Sequence, residues 1–129
     1  MRLPTKKRVS NKEYRDTFVS SNIDVGIAFQ IRALRRQRNY TQKKLAEISG
    51  MKQKRISALE NPSNPPNLST LKKLANAFDV GLIVRFIPIS ELLEWTLSLS
   101  PDFFEVASFN DETTKNVPKI IKRPPKRCN

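Results

Sequence analysis

Between Gln53 and Asn61 the chain reads QKRISALEN, which places two carboxamides, an ammonium, a guanidinium, a hydroxyl and a carboxylate within nine positions. Such groups recognise a partner by hydrogen bonding and charge; they are poorly suited to making or breaking bonds. The rest of the chain offers catalysis little more. There is no histidine, which removes the commonest general base and the commonest metal ligand together. The single cysteine, Cys128, permits neither a thiolate zinc site nor an internal disulfide, and fits a reducing, cytosolic setting. The glycines, Gly26, Gly50 and Gly81, build no phosphate-cradling loop. No catalytic residue, cofactor or metal is therefore expected.

In a helix successive residues advance about 100° around the axis. Ile56 and Leu59 then point the same way and must face a core. The opposite side carries Lys54, Ser57, Ala58 and Asn61, with Gln53 and Arg55 on the flanks. Just before this stretch, Thr41 is a good cap for a helix opening at Gln42. Leu45 packs inward, while Ala46 and Ser49 stay small enough for another helix to approach. Gly50 ends that helix where a left-handed backbone is cheap, and Met51 turns back into the core. Two short helices joined this way form a helix-turn-helix, a unit that presents its second helix to the DNA major groove. The outward residues are thereby placed to read base edges. Glu60 is an exception in a basic region, and Arg35 upstream is placed to pair with it and lock two helices together.

The elements that must position this pair read as follows. Residues 1–23 form a basic N-terminal arm (Arg2, Lys6, Lys7, Arg8) and a short helix from Asn11 to Ser20 with Tyr14, Phe18 and Val19 as its apolar patch. Residues 24–81 form the DNA-binding domain around the motif at 42–61. Its first helix is capped by Asp24 and runs to about Asn39, with Ile27, Ile31 and Leu34 on the main core face. A second strip, Val25, Phe29 and Ala33, is expected to be covered by the short Tyr14/Phe18 helix. The loop NPSNPPN cannot continue a helix. Asn67 or Ser69 then caps a helix with Leu71, Leu74, Ala75 and Phe78 on one face.

Residues 82–109 read as a strand–helix extension and candidate dimer interface. Leu82–Phe86 is the strand, and Ser90 caps a helix facing inward through Leu92, Leu93, Thr96 and Leu97. The stretch SPDFFEVASF reads as a packed loop or second strand, and Trp95, Phe103 and Phe104 as packing or dimer residues. Residues 110–129 read as a basic disordered tail, broken by Pro118, Pro124 and Pro125. No apolar run approaches the roughly 20 residues of a membrane span, and the N-terminus lacks the apolar stretch of a signal peptide. A formal charge of +12 on 129 residues points to a polyanionic partner.

The pattern Thr41-Gln42, Leu45-Ala46, Gly50, Met51, Ile56, Leu59 and Glu60-Asn61, with Arg35 upstream, resembles the Cro/repressor-type (XRE-like) helix-turn-helix regulators. LSTLKKLANAFDV is similar to the helix that follows in that family. The likeness spans about Asp24 to Val84, and the flanking stretches look like a bacterial subgroup with an extra N-terminal helix and a strand–helix extension. It implies a mainly α fold, a lambda-repressor-like helix-turn-helix helical domain with a short strand–helix extension. It further implies that Gln42 contacts a phosphate, that Gln53 and Lys54 read bases with Ser57 and Ala58 one turn on, and that Asn61 meets the DNA backbone. Glutamine suits adenine, lysine suits guanine acceptors, and Ala58 suits a thymine methyl. Lys43, Lys44 and Lys52 are open to phosphate contact or to plain solvation, and Arg55 is a further phosphate candidate. Lys52 departs from the family by standing where a capping Ser or Thr is usual.

The leading expectation is a cytoplasmic, nucleoid-associated transcriptional regulator, such as a repressor, bound to double-stranded DNA. It would act as a homodimer on an inverted repeat, its half-sites about 34 Å apart or a multiple of that. An antitoxin-like protein that also holds a toxin or other protein partner is the first alternative. The second is a non-specific nucleic-acid-coating protein driven by charge.

Overall fold

Asn11 decides where the longest helix begins. Its backbone is extended, and its side-chain oxygen accepts the Tyr14 N–H at 3.1 Å. A computed structural model describes residues 4–97 and 105–115. In order, the helices are α1 (Lys6–Val9), α2 (Lys12–Gln37), α3 (Gln42–Ser49), α4 (Gln53–Leu59), α5 (Leu68–Phe78), α6 (Ile89–Leu97) and α7 (Phe109–Lys115). The fold is mainly helical, as expected, and α2 to α5 carry the helix-turn-helix domain.

The two helices expected at 11–20 and from Asp24 are one, the 26-residue α2, about 39 Å long. Ser20, Ser21, Asn22 and Asp24 are cap-type residues, yet no proline interrupts them. Gly26 alone, at about 1 kcal/mol against alanine, does not break a helix anchored at both ends. Tyr14 and Phe18 therefore cannot fold back over the Phe29 strip. Val25 and Phe29 stay exposed, at 44% and 55%. The N-terminal half of α2 serves a different contact. Arg15 Nη1 donates to the Val9 and Ser10 carbonyls at 2.8 and 3.0 Å, closing α1 onto α2. Val9 and Arg15 there share a recess with Ile89 and Leu93 of α6. Where a basic arm was expected, Thr5 caps α1 by accepting the Arg8 N–H.

The core sits between the C-terminal half of α2 and α3, α4 and α5. Leu45, Ile56 and Leu59 are fully buried, joined by Ile31, Ala46, Leu74 and Phe78, with Ile27, Leu34, Tyr40, Met51, Ala77 and Val80 packed around them. Burying such aliphatic side chains stabilises by about 1.5–3 kcal/mol apiece. Asn67 caps α5 by accepting the Thr70 N–H at 2.8 Å, so of the two candidates it, and not Ser69, starts that helix.

The strand expected at Leu82–Phe86 is not formed. Residues 81–88 lie outside any regular element, and no strand occurs among the described residues. A strand needs a neighbour to receive its N–H and C=O groups, and 82–87 exchange no backbone hydrogen bond with any described residue. The helix that follows begins at Ile89, one residue before the expected Ser90 cap. Residues 110–115, expected as the start of a disordered tail, are helical in α7, and the stretch before it is tied down. Val106 N–H donates to Gln37 Oε1 at 3.2 Å and Phe109 N–H to the Asp79 carbonyl at 2.9 Å, so residues 105–109 return to the ends of α2 and α5 before α7. Arg2, Phe103, Phe104 and the tail from 116, with Cys128, lie outside the described residues.

Gly50 makes the turn between α3 and α4. Its φ of 72° and ψ of 21° are left-handed, and Met51 N–H reaches back to the Ala46 carbonyl at 3.0 Å. A Cβ added there would meet nothing within 4 Å, so the requirement is purely conformational. Gly50→Ala should cost roughly 1–2 kcal/mol, and Gly50→Asn less, because asparagine tolerates this backbone. Urea unfolding of the two variants would check it; equal losses would place the constraint in packing instead.

Candidate nucleic-acid interface

Alpha-helix α4 is only seven residues long, and its N-cap, Lys52, makes no side-chain capping bond. So short a helix is unstable alone. It is held by Ile56 and Leu59, both 0% exposed on its inner side. Burying these two decides what remains outside. Gln53, Lys54, Arg55 and Ser57 are exposed, Ala58 is half-buried, and Asn61 is exposed just past the end. Amide, amine and hydroxyl groups thus form one strip on the solvent side, with a small residue, Ala58, at its edge.

Glu60 does not weaken the positive character of this face. Its Oε1 accepts Arg35 Nε at 2.9 Å, and the two side chains are 8% and 13% exposed. Its Oε2 accepts Gln42 Nε2 at 2.6 Å. Arg35 also donates through Nη1 to the Tyr40 carbonyl at 3.0 Å. One carboxylate therefore ties α2, the start of α3 and the end of α4 together. Such charge-assisted bonds are shorter and stronger than neutral ones. Nothing in the residue pattern points to the Gln42 link. A helical register brings Gln42 to the front of α3, but only the packing angle between α3 and α4 brings it to Glu60.

Gln42 is half-buried, and its amide nitrogen is engaged with Glu60, which orients its oxygen. Thr41 caps α3 through the Lys44 N–H at 3.0 Å, and Lys43, Lys44 and Lys52 project into solvent. Asn61 Oδ1 accepts the Ser63 N–H at 2.9 Å, which sets the course of the proline loop and leaves its amide group facing outward. From 41 to 73 the cations are Lys43, Lys44, Lys52, Lys54, Arg55, Lys72 and Lys73, all exposed, against Glu47 and the sequestered Glu60. The local field is positive and would concentrate phosphate groups at this surface.

Among the described residues no group of acidic, cysteine or histidine side chains is arranged to hold a metal ion, and no helix is long and apolar enough to cross a membrane. Residues 31–84 match the family model described as helix-turn-helix. No curated protein and no solved structure gave a match.

Proposed function

Starting from residues 31–84 as a Cro/repressor-type helix-turn-helix, the DNA-binding unit of a regulator family, we propose that this protein is a sequence-specific transcriptional regulator. It reads the major groove with α4 and binds an inverted repeat as a homodimer. The observation that carries this reading is the outward strip of α4, polar and positive once Glu60 is drawn away by Arg35 and Gln42. Gln53 and Lys54 enter the groove first, and Ser57 and Ala58 lie one turn deeper. Gln42, Lys43, Lys52, Arg55 and Asn61 grip phosphates on either side. A single short helix spans few base pairs, which is why a twofold pair is the economical reader of a longer site. In a cell the protein would sit with the nucleoid and act as a repressor when its site overlaps a promoter.

Selection of bound duplexes from a fragment library, followed by footprinting, tests the reading. A recurring inverted repeat is the expected result, and even protection of all sequences would leave only charge-driven coating. Two variants separate reading from gripping. Gln53→Ala should lower discrimination at one base pair by about 1–3 kcal/mol. Lys52→Ala should weaken all duplexes alike and reduce the salt slope by about one. Identical behaviour of the two would mean that the face of α4 has been assigned wrongly.

A further inference from the structure

The charges of this chain are segregated. Residues 79–112 hold seven of its 12 acids, Asp79, Glu91, Glu94, Asp102, Glu105, Asp111 and Glu112, against one cation, Arg85. Residues 113–129 hold six cations and no acid. An acidic extension is thus followed at once by a basic tail. Within the extension Leu82, Ile83, Val84 and Phe86 are exposed at 44%, 87%, 69% and 104%. The backbone of 82–87 exchanges no hydrogen bond with any described residue. A β-branched and aromatic run in that condition is a strand lacking a partner. Beside it lies an apolar cleft of about 230 Å³, lined by Ile27, Ile31, Leu74 and Phe78 and edged by Leu82 and Val84. That volume is below the roughly 300–1,000 Å³ of small-molecule pockets. It suits a side chain better than an effector.

We infer that residues 119–123 of the chain's own tail, outside the described residues, dock on 82–86 as the missing strand, with Ile121 beside Val84 at the cleft. Three observations select this occupant. The first is length and composition. The tail reads KIIKR at 119–123, bounded by Pro118 and Pro124, which cannot continue a ladder; the segment it would cover, LIVRF, is also five residues long. Aligning the two centres sets Ile121 across from Val84 whichever way the added strand runs, and cross-strand neighbours share a face. The second is the tether. Phe109 N–H donates to the Asp79 carbonyl at 2.9 Å, so α7 starts three residues short of Leu82. That helix adds only about 10 Å before the tail begins, which holds the tail near the segment at a millimolar effective concentration. The third is charge. Lys119, Lys122 and Arg123 are drawn to the acidic extension, whereas the extensions of two copies carry the same sign and repel. Docked there, the tail covers an edge that would otherwise template pairing with other chains.

Hydrogen exchange of the full chain without DNA, alongside an Ile120→Asp/Ile121→Asp variant, tests the inference. Amides 82–87 should exchange about tenfold faster in the variant than in the wild type. The wild-type protection should also fall as salt is raised, because screening weakens the attraction between tail and extension. A second measurement uses paired cysteines in a Cys128→Ser background. Val84→Cys with Ile121→Cys should form a disulfide within one chain on mild oxidation, at a yield that dilution leaves unchanged. Val25→Cys with Ile121→Cys, using an exposed position on α2, should form far less. Equal exchange in wild type and variant would overturn the docking. Disulfides formed only between chains would overturn it too, since the occupant would then be a second copy. So would protection of 82–87 that arises only when a different protein is added. None of these results touches the DNA-reading proposal, whose own test is the sequence preference of the fragment library.

Discussion

Arg35→Ala should destabilise the helix-turn-helix domain by about 3–5 kcal/mol, the usual consequence of leaving one partner of a largely buried ion pair alone. Domains of this size are stable by only about 5–15 kcal/mol, so the variant loses a large share of its margin. The magnitude follows from where the guanidinium sits. It meets Glu60 at 2.9 Å and the Tyr40 carbonyl at 3.0 Å, and the Glu60 side chain is 8% exposed, too little for water to replace the lost contact. Arg35→Met combined with Glu60→Met should recover most of the stability, because an apolar pair of similar size replaces the ion pair without stranding a charge. Stability and DNA binding should then part company. With Glu60 gone, Gln42 loses its 2.6 Å anchor, and the front of α3 is no longer held against α4. The double variant should therefore fold well and bind DNA more weakly. Urea unfolding at constant slope measures the first effect, and titration of a short duplex measures the second. A double variant as unstable as Arg35→Ala would show that the ion pair is not what the domain loses.

Ile56→Ala should cost about 2–5 kcal/mol, the range for truncating a fully buried aliphatic side chain. The upper part of that range is expected. Ile56 is 0% exposed, and α4 has seven residues and no side-chain cap to hold it otherwise. Ser57→Ala, one position on, is the internal control: its side chain faces solvent, and its stability should change by no more than about 0.5 kcal/mol. The two substitutions thus reverse their weights between folding and recognition. Ile56→Ala destabilises α4, and Ser57→Ala leaves it as stable with one hydroxyl missing from its outer strip. Thermal unfolding of both, with DNA titration at a temperature where both remain folded, checks the contrast. Similar losses of stability at 56 and 57 would mean that α4 is rotated from the orientation described.

Much of the recognition unit was legible in the residues alone. Thr41, Gly50, Ile56 and Leu59 act over one or two turns, through a cap, a left-handed turn and a rotational phase, and none of these needs distant chain to be evaluated. The position of Arg35 against Glu60 was legible for a related reason, since a lone acid in a basic stretch demands a cation. Local chemistry fails where two outcomes are locally equal. Asn11 and Asp24 are both good caps, and only the absence of any reason to turn between them joins 12–37 into one helix. LIVRF has every propensity of a strand, but a strand is a relation between two chains of backbone, and the described residues supply one.

What the sequence by itself determined is the phase of each helix, and with it which side chains of α4 must face a core and which must face away. Tertiary structure alone decided that Glu60, besides pairing with Arg35, accepts from Gln42, that residues 105–109 return to the ends of α2 and α5, and that, among the described residues, 82–86 have no strand to pair with. The physical reason is range. Rotation about a helix axis is set by neighbours three and four residues off, whereas contacts across 18 or 69 positions depend on crossing angles that no local pattern encodes.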